Sequence, residues 1–214
     1  MVRYHHGMSD VHEDLDVAEL FSAAWNMLQQ GSADRRHAFH TPVLATTDST
    51  GAPQIRTVVL RRVDMEQRLI CCHTDSRAPK VQQVKASSRV SWLFYDPAAR
   101  VQIRASGACR VHSGELDPIA CDTWRQVHPD SRVCYAAPYA PSHELKQWES
   151  NQASNAREIA ATAPCSDDMP PESFAVLATA IDSLEWLELH HDGHQRIRFD
   201  CAVGSEPTAH WLAP

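Results

Sequence analysis

The alternation of side chains over residues 101–111 constrains the fold of this chain more than any other feature of its sequence. Val101, Ile103 and Ala105 alternate with Gln102 and Arg104. Such a period of two is typical of a strand that has one face in a core and the other in solvent. A half-buried strand needs hydrogen-bonded neighbours on both sides, so other segments of the chain must also be strands.

Short apolar and β-branched runs separated by turn residues provide these neighbours. The pattern predicts strands at residues 42–47, 54–63, 68–74 and 90–95, of which the first three read as an antiparallel meander. Further strands are predicted at 174–181, 184–189 and 195–202, with the turn Asp192-Gly193 before the last. The sequence therefore predicts an α+β fold built on an antiparallel β-barrel with peripheral helices.

The remaining segments are predicted to be helices and loops. Residues 15–30 form an amphipathic pattern that Gly31 should end, and a short helix is expected at 79–86. We expect a single domain over residues 1–214. Its parts are an N-terminal helix at 15–30, a barrel core at 40–112, a helical segment at 113–160, a loop at 161–173 and C-terminal strands at 174–214.

Charge is distributed unevenly along the chain. The net charge is −7, yet residues 49–114 contain eleven basic and only four acidic side chains. A basic centre in an acidic protein indicates a local anionic ligand rather than a nucleic acid, which usually requires a basic domain. No apolar run reaches the ~18 residues of a membrane span, and the seven scattered cysteines lack disulfide spacing. We therefore expect a cytoplasmic protein with no membrane partner.

Two segments in this basic centre have the residue types of a phosphate site. In the first, Arg56 stands near a strand end, where its planar guanidinium can clamp a phosphate. In the second, residues 73–80 lead from a strand into a helix and carry Ser76, Arg77 and Lys80. The alternatives are surface arginines on an edge strand and an ordinary strand-to-helix turn with a solvated lysine.

Metal binding is not expected from the cysteine and histidine pattern. Cys71 and Cys72 are adjacent, and neighbouring side chains of a strand point to opposite faces, so they cannot easily share an ion. The pair His190-His191 lacks ligand spacing and is expected at the surface. No metal site is therefore assigned.

The order of the motifs resembles that of a known family. The sequence RTVVLRR at 56–62 is followed by a hairpin, by HTD at 73–75 before Lys80, by an aromatic strand and by VQIRASGA at 101–108. This order resembles the FMN-binding split barrel of the pyridoxamine 5'-phosphate oxidase family, and most closely its oxidase-related branch. The resemblance covers residues 15–112 and continues more weakly over 174–214, where the chain ends in WLAP like the family's RLAP.

The resemblance implies FMN as the cofactor and a homodimer with FMN at the interface. Arg56 and Lys80 would bind its phosphate, with Ser76 or Arg77 in support. The segment Thr57, Val58, Val59 and Leu60 would line the flavin, and His73, Thr74 and Gln102 would lie beside it.

The substrate site departs from the family pattern. A Tyr and an Arg of the family correspond to Thr123 and Val127, whereas the family Ser is kept as Ser131. Arg61 replaces a Lys, and the late Arg-Leu-His triplet becomes Arg196-Ile197-Arg198. The substrate-binding residues implied are Arg61, Ser131, Arg196 and Arg198. Pyridoxamine 5'-phosphate should bind weakly, because charge-assisted hydrogen bonds worth roughly 1.5–3 kcal/mol each are lost.

The function expected is that of an FMN-dependent oxidoreductase acting on an unidentified small, anionic or polar substrate. No catalytic acid or base is assigned from the sequence. Two alternatives stay open: a split barrel that binds FMN or haem without turnover, and a structural dimer that has lost its cofactor.

Overall fold

The computed structural model describes residues 16–162, 168–201 and 205–214. Within them lie nine strands: β1 Val43–Thr47, β2 Pro53–Thr57, β3 Leu60–Asp64, β4 Leu69–Asp75, β5 Arg89–Asp96, β6 Val101–Ser113, β7 Phe174–Glu188, β8 Gln195–Asp200 and β9 Thr208–Leu212. The helices are α1 Val17–Ala33, α2 Pro79–Ala86, α3 Pro118–Arg125, α4 Pro129–Arg132 and α5 Ala156–Ala161. Short 3-10 turns occur at Ala38–His40 and Val133–Ala136.

All the strand pairs are antiparallel, and the order along the sheet is β2-β1-β5-β6-β7-β4-β3, with β8 paired to β7 and β9 to β8. One face of the sheet encloses the main core, which includes the buried side chains of Leu44, Trp92, Ile103, Leu177 and Phe199. The predicted α+β fold with an antiparallel sheet and peripheral helices is confirmed. None of the helices in the described residues is long and apolar enough to cross a membrane.

Helix α1 extends further than predicted. Asp16 caps its start by accepting a hydrogen bond from the Ala18 amide at 2.9 Å, and the helix continues to Ala33. The prediction that Gly31 ends it is wrong. A Cβ at Gly31 would lie 2.7 Å from the Phe39 Cβ, so the glycine serves close packing inside the helix. Residue 15, the predicted start, lies outside the described residues.

The predicted strand at 54–63 is in fact two strands. Val58 and Val59 interrupt it, and the hairpins β1–β2 and β3–β4 lie at opposite ends of the strand order. The interpretation of residues 42–74 as one meander is therefore wrong. Conversely, the two strands predicted at 174–181 and 184–189 are the single strand β7, which pairs with β6 and β4. The barrel core thus cannot be limited to residues 40–112.

The predicted helical segment at 113–160 is only partly helical. Strand β6 runs to Ser113, three short helices follow, and residues 137–155 contain no helix. The loop predicted at 161–173 begins at the end of α5, and residues 163–167 lie outside the described residues. Strand β9 lies within the segment 174–214 that was assigned to C-terminal strands, although no individual strand was predicted at its position.

Candidate functional site

Arg56, on β2, is held by oxygen atoms of its neighbours. Its Nη1 donates to the Thr46 hydroxyl at 2.6 Å and to the Leu44 carbonyl at 3.3 Å, and its Nη2 donates to Gln83 Oε1 at 3.1 Å. Thr46 in turn donates to Gln83 Oε1 at 2.6 Å. The guanidinium is therefore fixed between the β1–β2 hairpin and helix α2.

Lys80, in the first turn of α2, stands close to Arg56. Its Nζ donates to the Thr74 hydroxyl at 2.9 Å. Burial lowers the pKa of both side chains, and the charge of Arg56 lowers the pKa of Lys80 further. Neither forms an ion pair with a carboxylate in the described part of the chain. Two charged donors that meet only neutral oxygens fit an anion such as a phosphate.

The segment between Arg56 and Arg61 connects β2 to β3. Thr57 is exposed, Val58 and Val59 are half-buried, and the Val58 amide donates to the Pro42 carbonyl at 3.0 Å. Leu60 is fully buried in the barrel core, so only its backbone is available to a ligand.

Three further residues of the predicted cofactor set, Ser76, Arg77 and Gln102, are not hydrogen-bond partners of Arg56 or Lys80. Arg77 forms an ion pair with Asp75 at 2.7 Å and donates to the Ala137 carbonyl at 3.0 Å. The Ser76 hydroxyl donates to the Glu172 carbonyl at 2.6 Å. Gln102 is half-buried on β6, opposite Tyr95 on β5. The side chains of Ser76 and Arg77 thus hydrogen-bond to the backbone of the segments that contain Glu172 and Ala137, respectively.

A cavity of about 430 Å³ lies between the sheet and helices α3 and α4. It brings together Arg61, His73 and Ser131 of the predicted residues, with Thr123 and Val127 at its α3–α4 wall. The other lining residues are Ser32, Arg62, Gln67, Leu69, Cys71, Ile119, Asp122, Gln126, His128, Val176 and Ala178. A volume of this size suits a small-molecule ligand.

A β-bulge brings Arg62 to this cavity beside Arg61. Leu60 pairs with Cys72 and Arg62 pairs with Cys71, which leaves Arg61 as the extra residue between them. Bulges commonly re-aim a side chain in this way. Simple alternation would put Arg62 on the face of Leu60, inside the barrel. Because of the bulge, both arginines line the cavity, which no signal in the single sequence could have revealed.

The cavity has one guanidinium without a carboxylate partner among the described residues, that of Arg61. Arg62 is paired with Asp64 at 2.9 Å, and the lining carboxylate of Asp122 is paired with Arg125 at 2.8 Å. Burial, assisted by the Arg61 charge, lowers the pKa of His73 to about 4, so its imidazole is neutral at pH 7. Burial also raises the pKa of the Cys71 thiol to about 12, which keeps it protonated and unreactive.

Arg196 and Arg198, on β8, are not among the residues that line the cavity. Arg196 pairs at 2.9 Å with Glu185, a buried carboxylate that also pairs with Arg104 at 2.8 Å. Arg198 pairs with Asp200 at 2.9 Å. Within one protomer the structure therefore separates these two arginines from Arg61 and Ser131.

The α3–α4 wall is held by a residue that the sequence did not single out. Arg132 is buried, its guanidinium lies 4.4 Å from the centre of the Trp124 ring, and it pairs with Asp168. It also donates to the carbonyls of Trp124 at 3.1 Å and Val127 at 3.3 Å. These contacts position Val127 and Ser131 over the sheet.

The pair His190-His191 lies at the surface, as expected. The ligand atoms of His190, His191 and Asp192 lie within 4.8 Å of one another, and all three side chains are exposed. Exposure of this kind provides no enclosed coordination site.

Comparison with known proteins identifies the central part of the chain. Residues 22–113 match the family model of the pyridoxamine 5'-phosphate oxidase FMN-binding domain. The pyridoxine/pyridoxamine 5'-phosphate oxidase of Bartonella henselae is 29% identical over 112 residues, which are 52% of this chain and 50% of that protein. The oxidase of Anaeromyxobacter dehalogenans is 31% identical over 81 residues, 38% of this chain and 40% of that protein. The chain thus aligns with half or less of the length of these curated relatives.

Two solved structures share the fold over most of the chain. A pyridoxamine 5'-phosphate oxidase-related FMN-binding protein from Nostoc punctiforme has a TM-score of 0.73 at 21% identity, covering 91% of this chain and 97% of its own. PhzG from Burkholderia lata, in complex with tetrahydrophenazine-1-carboxylic acid, has a TM-score of 0.67 at 19% identity, covering 91% and 92%. Residues 22–113 thus match the FMN-binding domain of the pyridoxamine 5'-phosphate oxidase family, and the chain shares the split-barrel fold of a related FMN-binding protein.

Proposed function

We propose that the protein is an FMN-dependent oxidoreductase that acts on a small substrate bound in the cavity beside Arg61. The phosphate of FMN would bind to Arg56 and Lys80. The observation that carries this proposal is that both cations donate only to neutral oxygens, although burying a charge without a counter-ion is costly. A phosphate would supply the missing negative charge.

The positions of Arg56 and Arg61 support a flavin ring along the segment between them. Arg56 precedes Thr57 and Arg61 follows Leu60, so the segment joins the cation pair to the cavity. FMN supplies two-electron redox chemistry when bound. The protein's own residues would bind and orient the partners. Arg61 holds an anionic or polar group of the substrate, and neutral His73 offers one ring nitrogen as a donor and the other as an acceptor.

We further propose that the protein is a homodimer with FMN at the subunit interface. The outer face of the sheet is apolar at one end, where Ile55 on β2 and Leu93 and Tyr95 on β5 are exposed. At the other end it carries Arg104, Arg196 and Arg198 with their carboxylate partners. A two-fold dimer could cover the apolar end with the same face of the partner.

In such a dimer, Arg196 and Arg198 would act from the partner subunit. Their place on β8, away from the cavity of their own protomer, is consistent with this role. Ion pairs with Glu185 and Asp200 would then hold them in position for the neighbouring site. A cytoplasmic location would provide the reducing conditions in which buried free thiols persist.

The absorbance spectrum of the purified protein tests the proposal directly. Flavin bands, with equimolar FMN identified after extraction, are expected, and reduction of the flavin by small candidate substrates would establish turnover. A Soret band would indicate haem instead, which the Arg56–Lys80 pair and the family match do not favour. Colourless protein that takes up no FMN in calorimetry would contradict the proposal and favour a structural dimer.

A further inference from the structure

We propose that the cavity beside Arg61 selects a small organic monoanion, such as a carboxylate, and discriminates against phosphate esters. This inference rests on the proposed function, because it assigns the substrate class of the same site. It follows from the charge and the surface of the cavity.

The charge of the cavity matches a single negative charge. Among the described lining residues, Arg61 is the one arginine without a carboxylate partner, since Arg62 is paired with Asp64. His73 is neutral at pH 7. A phosphate monoester carries about −1.5 to −2 charges at that pH and presents three acceptor oxygens. One guanidinium satisfies a planar carboxylate with two parallel hydrogen bonds but leaves a phosphate under-neutralised.

The cation pair near α2 provides a comparison inside the same protein. There, Arg56 and Lys80 lie close together with the hydroxyls of Thr46 and Thr74 beside them. That arrangement offers two charges to one phosphate. The cavity has half that charge, because Arg61 is its one arginine without a carboxylate partner among the described residues, and Val127 lines the wall without a charge.

Part of the cavity wall is apolar, whereas the other lining residues, among them Thr123, Gln126 and Ser131, are polar. Strands β4 and β7 place Leu69, Cys71, Val176 and Ala178 on the side that faces α3, and Val127 and Ile119 close the opposite wall. Because the Cys71 thiol stays protonated, it contributes apolar surface rather than charge. This part of the wall can contact the apolar body of a ligand whose charged group binds Arg61.

Three probes that share a naphthalene ring and differ in the attached group test the inference. Binding of 2-naphthoate, 2-naphthyl phosphate and 2-naphthalenemethanol to the FMN-loaded protein is measured by calorimetry at pH 7.5. The naphthoate is expected to bind most tightly. In Arg61→Gln its affinity should fall roughly ten- to a hundredfold, with little change for the alcohol. In the matched control Arg89→Gln the affinity should change less than about threefold, because that guanidinium is exposed, is paired with Asp182 and does not line the cavity.

A gain-of-function variant sharpens the test. Val127→Arg adds a second cation to the wall and should invert the preference in favour of the naphthyl phosphate. Tighter binding of the phosphate than of the carboxylate by the unmodified protein, an unchanged naphthoate affinity in Arg61→Gln, or no binding of any probe would each overturn the inference. The FMN content of every preparation is measured separately, so failure to bind FMN would count against the proposed function and not against the substrate class.

Discussion

The guanidinium of Arg56 and the hydroxyl of Thr46 are 2.6 Å apart, across the hairpin of β1 and β2. Thr46 also donates to Gln83, which itself accepts from Arg56. This triangle fixes the orientation of the guanidinium before any ligand arrives, and such preorganisation lowers the entropic cost of binding.

Replacing Arg56 or Lys80 should release FMN without unfolding the barrel. We expect Arg56→Ala and Lys80→Ala each to weaken FMN affinity roughly ten- to a hundredfold, since each removes charge-assisted hydrogen bonds. Fluorescence titration with FMN measures the loss, and circular dichroism monitors the fold. Arg77→Ala is the matched control and should retain near-normal affinity, because Arg77 is bound to Asp75. Normal FMN content in both site variants would contradict the phosphate assignment.

The proposed dimer interface lies at the apolar end of the outer sheet face. A charged residue introduced there should separate the subunits. Leu93 is 37% exposed on β5, beside Val43 of β1 and Arg104 of β6. Leu93→Arg should convert the dimer into monomers and reduce FMN binding, because a charge would be buried in the interface. Light scattering after size-exclusion chromatography gives the mass. Leu116→Arg, at a site that is 99% exposed outside the sheet, should stay dimeric. A Leu93→Arg protein with the mass of a dimer would contradict the proposed interface.

His73 should make the protein less stable in mild acid. Its pKa is lowered to about 4 by burial, below the ~6.5 of the unfolded chain. The unfolded state therefore binds the proton first, and stability is lost as the pH falls from about 6.5 towards 4. Between pH 7.5 and pH 5, the free energy of unfolding should fall by about 2 kcal/mol more in the wild type than in His73→Phe. Urea denaturation of both proteins at the two pH values measures this difference, and equal losses would disprove it.

The ion pair between Arg132 and Asp168 should contribute more to the free energy of unfolding than the exposed ion pairs of the chain do. Asp168→Ala leaves the buried guanidinium of Arg132 without its counter-ion and should destabilise the protein by about 2–4 kcal/mol. Because Arg132 holds α3 and α4 over the cavity, ligand binding there should weaken as well. Asp182→Ala removes the exposed partner of Arg89 and should cost less than about 1 kcal/mol. Similar melting temperatures for the two variants would refute the proposed difference.

The sequence predicted the strands where side chains alternate or form apolar runs, and it failed where tertiary contacts override local signals. Strand β6 and helix α2 lie close to their predicted positions because their patterns are regular. Gly31 reads as a helix end, but the close approach of Phe39 keeps it inside α1. The sequence pattern left a gap between two strands at residues 182–183, whereas in the structure Asp182 is the extra residue of a β-bulge and β7 continues through it.

The candidate site was predictable in its residue types and not in its geometry. Arg56 and Lys80 stand out as cations at a strand end and a helix start, and they are neighbours in the structure. The bulge that brings both Arg61 and Arg62 to the cavity depends on the pairing of β3 with β4, which one strand alone does not encode. Some hydrogen bonds could not be foreseen because the two partners are distant in sequence or lie on different strands. These are the bonds from Arg77 to the Ala137 carbonyl, from Arg132 to Asp168 and from Arg196 to Glu185.

Strand β7 holds the two halves of the sheet together, because it lies between β6 and β4. His73 pairs with Val176 and Thr74 with Ala175, so β4 reaches its final neighbour only when the last part of the chain has been made. During synthesis, the nascent polypeptide must therefore carry its early hairpins with open edges until β7 leaves the ribosome, a period in which such edges are prone to aggregate. A fragment ending at residue 113 would therefore lack the strand that joins β4 to β6, and with it one wall of the cavity.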